Sequence, residues 1–128
     1  METNLLRIIG DYKMRTKEEM EEKIEKLNDI TVALRAEEDN LSNEQKVILA
    51  GSELQSIMLT SLLVNTEEQT RELLEKFERR AEELDAKYVE ASEANNAELK
   101  ARIHGMIWTN DIRLDTIKWV LEVEPEVF

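Results

Sequence analysis

Few side chains in this sequence are suited to chemistry. His104 is the only histidine, and a metal or acid–base role would need partners converging on it. It falls on neither apolar stripe of its helix and sits one turn before Trp108, where it would rim a tryptophan patch. A carboxylate di-metal centre in a helical bundle uses inward-facing glutamates and a Glu-x-x-His pair on each of two helices. Ala101 stands three residues before His104, so that pair is missing. Glu18–Glu21 and Glu82–Asp85 have the spacing of a magnesium-binding carboxylate pair, but segments this rich in acid produce such spacings by chance. With no cysteine there is no disulfide, thiolate nucleophile or Cys-ligated zinc or iron–sulfur site. No Walker loop, glycine-rich phosphate cradle or Ser-His-Asp order is visible. The expectation is therefore no catalytic residue, no cofactor and no metal, and a chain that is not an enzyme.

What remains is aromatic. At about 100° per residue, Trp108, Ile112 and Trp119 cluster on the side of their helix opposite its main apolar seam. Aromatic side chains anchor protein interfaces because each buries a large area with few rotors. Trp108, Ile112 and Trp119, rimmed by His104, are thus the candidate partner or oligomer interface. The competing reading uses this chain alone, with Leu5, Leu6, Ile8, Ile9 and Tyr12 of an N-terminal helix covering the same patch.

Charge narrows the partners. The net charge is −12, from 17 basic and 29 acidic residues. Phosphate backbones need a basic footprint, so direct nucleic-acid binding is not expected. The charge is uneven. Residues 17–44 carry −6 (4 basic, 10 acidic) and residues 67–104 carry −4 (7 basic, 11 acidic), whereas residues 45–66 hold only Lys46 and Glu53. The acidic segments read as helices with solvated outer faces, and the neutral one as central and buried on all sides. The most apolar stretch, Val47 to Val64, is interrupted by Glu53, Gln55 and four hydroxyl residues, so a buried bundle helix is expected rather than a membrane span. The start, METNLLRIIGDYK, lacks the apolar core of a signal peptide, and a cytoplasmic location is expected.

The elements that would position these residues are punctuated clearly. A Ser, Thr or Asn followed three residues later by Glu or Gln marks a helix start, at Thr16–Glu19, Ser42–Gln45, Thr66–Gln69 and Asn95–Glu98. A short helix from about Thr3 to Met14 would precede the first. The helix from Thr16 to about Asp39 has the seam Met20, Ile24, Leu27, Thr31 and Leu34, and its acidic end from Glu37 to Asn40 opposes the helix dipole and should fray. The helix from Ser42 to about Val64 holds Val47, Ala50, Leu54, Ile57, Met58, Ser61 and Leu62 on one face. The helix from Thr66 repeats most regularly, through Thr70, Leu74, Phe77, Ala81, Leu84, Tyr88, Ala91 and Asn95 in steps of four and three. It should break near Asn95, although one rod over residues 66–124 is the alternative. The last helix, from about Asn96 to Glu124, has the seam Leu99, Ile103, Met106, Ile107, Asn110, Leu114, Ile117 and Leu121, and Pro125 ends it.

Residues 1–128 are therefore expected to form a single all-α domain. The architecture is an up-and-down antiparallel bundle of four main helices plus a short N-terminal helix, with coiled-coil-like packing. The function expected is a non-enzymatic protein–protein interaction module, such as a scaffold, adaptor or small regulator, with a protein partner and self-association, a dimer being the simplest form. The alternatives are an acidic inhibitor that mimics nucleic acid and occupies a nuclease or DNA-binding protein, and a magnesium-dependent all-α hydrolase.

Overall fold

The computed structural model describes residues 14–121. Within them lie α1 (Lys17–Arg35), a 3-10 turn (Glu38–Asn40), α2 (Asn43–Leu62), α3 (Glu67–Glu93) and α4 (Ala97–Val120), with no strand among the described residues. The fold is an all-α bundle. The short helix expected from Thr3 and the stop at Pro125 lie outside the described residues.

Three helices start with reciprocal caps where the sequence placed them. Thr16, Ser42 and Thr66 each accept the N–H of the residue three positions on, and Glu19, Gln45 and Gln69 return a bond to the cap's own N–H. Each pair satisfies two amides that the first helical turn leaves unpaired. The backbone N–H of Thr16 is the main reason that the Glu19 carboxyl sits below its ordinary pKa, against a smaller opposing effect of desolvation.

The fourth start is shifted by one residue. Asn96, not Asn95, is the N-cap of α4, accepting the N–H of Leu99 at 3.1 Å. Asn95 adopts the left-handed region, φ 56°, which asparagine tolerates better than most residues. The Asn95 N–H donates to the Ser92 carbonyl at 3.1 Å and the Asn96 N–H to the Ala91 carbonyl at 3.0 Å. These two bonds close a helix C-terminus tightly, so α3 and α4 are separate helices and no single rod spans residues 66–124. Helix α1, expected to reach about Asp39, ends earlier, and a 3-10 turn, Glu38–Asn40, takes up the acidic stretch. The α-helix stops at Arg35, whose guanidinium pairs with Glu53 of α2 and with Glu38.

Two hairpins build the bundle. In the first, α1 and α2 run antiparallel, with the Ser56 hydroxyl donating to Asn28 Oδ1 at 3.0 Å. In the second, α3 and α4 run antiparallel, with Asn110 Nδ2 donating to the Phe77 carbonyl at 3.0 Å. The hairpins join chiefly through α2 and α4. Sequence neighbours were expected to pack throughout, but α2 and α3 hardly touch. The cause is α4, which is apolar on two faces and takes α3 on one and α2 on the other. A Cβ at Gly51 would stand 3.7 Å from Ile112 Cδ1, an ordinary contact distance, so this approach does not depend on glycine there.

The main core draws on all four helices: Met20 and Leu27 of α1, Leu59 and Leu62 of α2, Ile117 and Val120 of α4 with Leu121 just after it, and Leu73, Leu74 and Phe77 of α3 packed against them. A second cluster, Leu84, Ala91 and Ile103 flanked by Tyr88 and Ile107, belongs to α3 and α4 alone. The stripe expected on α3 is buried or half-buried from Thr70 to Ala91, and only Asn95 is exposed. Helix α2 departs from expectation. It is not buried on all sides but leaves Val47 and Ile57 exposed at 53% and 67%, with Val64 just past its end at 83%. Its neighbours cover one arc only, which contains Leu49, Ser52, Leu59 and Leu62. No described helix is long and apolar enough to cross a membrane.

Candidate interaction face on helix α4

The two tryptophans lie eleven residues apart on α4, about three turns, and so share a face. Their surroundings differ. Trp119 is half-buried against the main core and capped by the start of α1. The Arg15 guanidinium lies 4.3 Å from its ring centroid and the Lys23 ammonium 5.6 Å. Arg15 Nε donates to the Trp119 carbonyl at 2.6 Å, and the Arg15 backbone N–H donates to the Val120 carbonyl at 2.7 Å. These bonds satisfy carbonyls that the end of α4 would otherwise leave unpaired. Arg15 and Lys23 supply cover for this ring, while the competing reading of cover by Leu5, Leu6, Ile8, Ile9 and Tyr12 falls on residues outside the described ones.

Ile112 is half-buried at the α2–α4 contact, its methyl lying over Gly51. Among the described residues Trp108 has no such cover, and it is 36% exposed. With His104 and Gly105 from α4 and Lys46, Val47 and Ala50 from α2, it lines an open groove of about 380 Å³. His104 is exposed, its ring 6.4 Å from that of Tyr88 and tilted by 49°. Of the four residues singled out, Trp108 and His104 therefore share an open surface, Ile112 sits beneath it, and Trp119 lies apart.

The other wall of this surface was missed. Val47, Ala50, Ile57, Ser61 and Val64 are exposed, with half-buried Leu54 among them, at steps of three and four residues. The sequence placed Val47, Ala50, Leu54, Ile57 and Ser61 on one core face with Met58 and Leu62, of which Leu62 is buried and Met58 half-buried. Nothing in the pattern decided between the exposed stripe and the arc of Leu49, Ser52, Leu59 and Leu62, since both are apolar or small.

Gly105 is a further signal. A Cβ there would meet nothing within 4 Å. Glycine inside a helix costs about 1 kcal/mol relative to alanine, and no packing among the described residues requires the gap.

The carboxylates do not assemble into a comparable site. Glu18, Glu21, Glu82 and Asp85 are all exposed, and no group of three or more Asp, Glu or His residues among the described residues is placed to hold a metal ion. Desolvation raises the Asp111 carboxyl pKa, as do the charges of Asp115 and Asp85, with Lys118 opposing. Comparison of the chain with protein-family models, with curated proteins and with solved structures found no match.

Proposed function

We propose that this chain is a non-enzymatic interaction module that self-associates as a dimer, with Trp108, His104 and the outer stripe of α2 as the contact face. The observation that carries the reading is the apolar surface from Val47 to Val64, left uncovered among the described residues, beside a tryptophan groove. Contiguous exposed apolar surface on a folded chain marks a contact site.

Charge favours a second copy as the occupant. Each copy carries −12, yet residues 45–66 hold one basic and one acidic residue, so two copies meeting there bring almost no like charge together. A stripe with heptad-like spacing is complementary to itself about a two-fold axis, as a dimer contact must be. The bare helix surface at Gly105 allows close approach beside Trp108.

Sedimentation equilibrium across a wide concentration range tests this. The expected result is a monomer–dimer equilibrium that Ile57→Lys abolishes without loss of helicity, because Ile57 is 67% exposed and makes little contribution to the monomer's core. A wild-type chain that stays monomeric at several hundred micromolar would sink the proposal.

A further inference from the structure

The outer stripe of α2 has an order of its own. It runs Val47, Ala50, Leu54, Ile57, Ser61 and Val64, in steps of three, four, three, four and three. From either end the sizes read alike: a valine, a small residue, then a large aliphatic one at the centre. The Ser61 hydroxyl donates to the Met58 carbonyl at 2.7 Å, so it can be covered without stranding a donor. A second α2 laid on this stripe in the opposite direction would match Val47 with Val64, Ala50 with Ser61 and Leu54 with Ile57. Reversal therefore costs nothing in the fit of the layers.

The surroundings of the stripe are not symmetric. The Trp108 groove opens beside Val47 and Ala50. At the far end Val64, which follows the αR residue Leu63, is largely exposed. Charge is uneven as well. Residues 37–44, which lead into the stripe, hold Glu37, Glu38, Asp39 and Glu44 and no basic residue. Residues 65–71, which follow it, hold Glu67 and Glu68 together with Arg71, and Arg71 contacts Glu67 at 3.5 Å. Two copies lying in the same direction would crowd their most acidic ends together and set groove against groove. In opposite directions those ends stand about 30 Å apart along α2, several times the screening length in physiological salt. The dipoles of the two α2 helices then also oppose each other.

We infer that two copies pair antiparallel through α2, so that Val64 of each copy seats in the Trp108 groove of the other. This rests on the dimer proposed above and gives it a direction and a register. The same contact is made twice about the axis, as a two-fold pairing demands. The bare helix surface at Gly105 leaves room for the incoming chain beside the indole.

The sequence has no cysteine, so single thiols can be placed in the full-length chain and joined with a short bifunctional thiol reagent. Val47→Cys, Ile57→Cys and Val64→Cys all alter exposed side chains. Ile57 lies close to the axis, so Ile57→Cys should link to itself in either direction of pairing and reports on the contact face. Val47 and Val64 are seventeen residues apart, about 25 Å along a helix. In the antiparallel dimer neither Val47→Cys nor Val64→Cys links to itself, and a mixture of the two should give a cross-linked dimer that neither gives alone. Self-linking of Val47→Cys with no link in the mixture would overturn the antiparallel register and leave the dimer standing. A chain that sediments as a monomer and links at none of the three positions would overturn both.

Discussion

Trp108 and Trp119 occupy the same face of the same helix, three turns apart, and only one of them is covered. Around Trp119, α1 has just begun, and Arg15 and Lys23 lie across the ring while Arg15 also caps carbonyls at the helix end. By the level of Trp108, α1 is no longer the neighbour, and α2 flanks the ring without closing over it. The difference lies in what passes overhead, not in the helix that carries them. One chemistry, a large amphipathic ring, serves as a structural anchor at one end and as open surface at the other.

The contrast predicts opposite consequences of the same substitution. Trp119→Ala should cost about 3 kcal/mol of stability, toward the lower end for loss of a tryptophan because the ring is only half-buried, and leave the monomer–dimer equilibrium unchanged where the chain remains folded. Trp108→Ala should cost less in denaturant unfolding and weaken dimerisation. Equal stability losses would show that the two rings are not differently used. Next in size, Arg15→Ala should destabilise by about 1–2 kcal/mol, through loss of the cation over the Trp119 ring and of the bond to its carbonyl. Tryptophan fluorescence of the Trp108→Phe chain would then report the exposure of Trp119 directly. Gly105→Ala sharpens the other side. It should raise the monomer's stability by about 1 kcal/mol through helix propensity, since the added Cβ meets nothing within 4 Å, and still weaken self-association. A stabilised chain that dimerises as before would remove the argument from the bare helix surface.

The smallest effect concerns the pH dependence of Asp111. Its carboxyl pKa is raised in the folded state by desolvation and by Asp115 and Asp85. The ionised form therefore destabilises the fold at neutral pH. Asp111→Asn should stabilise the chain near pH 7. The gain should shrink as pH falls through the raised folded-state pKa and vanish below the ordinary value for aspartate, where the group is protonated in both states. Urea midpoints at several pH values would check this, and a gain that persists in acid would refute it.

Sequence pattern specified the helices more fully than their neighbours. The reciprocal caps at Thr16, Ser42 and Thr66 are local devices, readable from four residues at a time. The α3 stripe was equally plain, because its outer face is charged and leaves one apolar side. Helix α2 offered no such contrast. Its two apolar arcs are chemically alike, so the choice between them fell to tertiary contact with α1 and α4. The break at Asn95 was visible as a weakened seam, but its register was off by one because either asparagine can cap. Trp108, His104 and Ile112 could be grouped from helical angle alone. The separation of Trp119 could not, since it depends on a contact with Arg15 across most of the chain.

The backbone bond from Arg15 to Val120 ties the beginning of the described chain to its end. A stretching force applied at Arg15 and Val120 would load that bond and the Arg15–Trp119 contact directly. Behind this clasp of two hydrogen bonds and one stacked cation stands the main core, in which Met20 and Leu27 of α1 share one cluster with Ile117 and Val120 of α4, so α1 would leave α4 only with loss of that core.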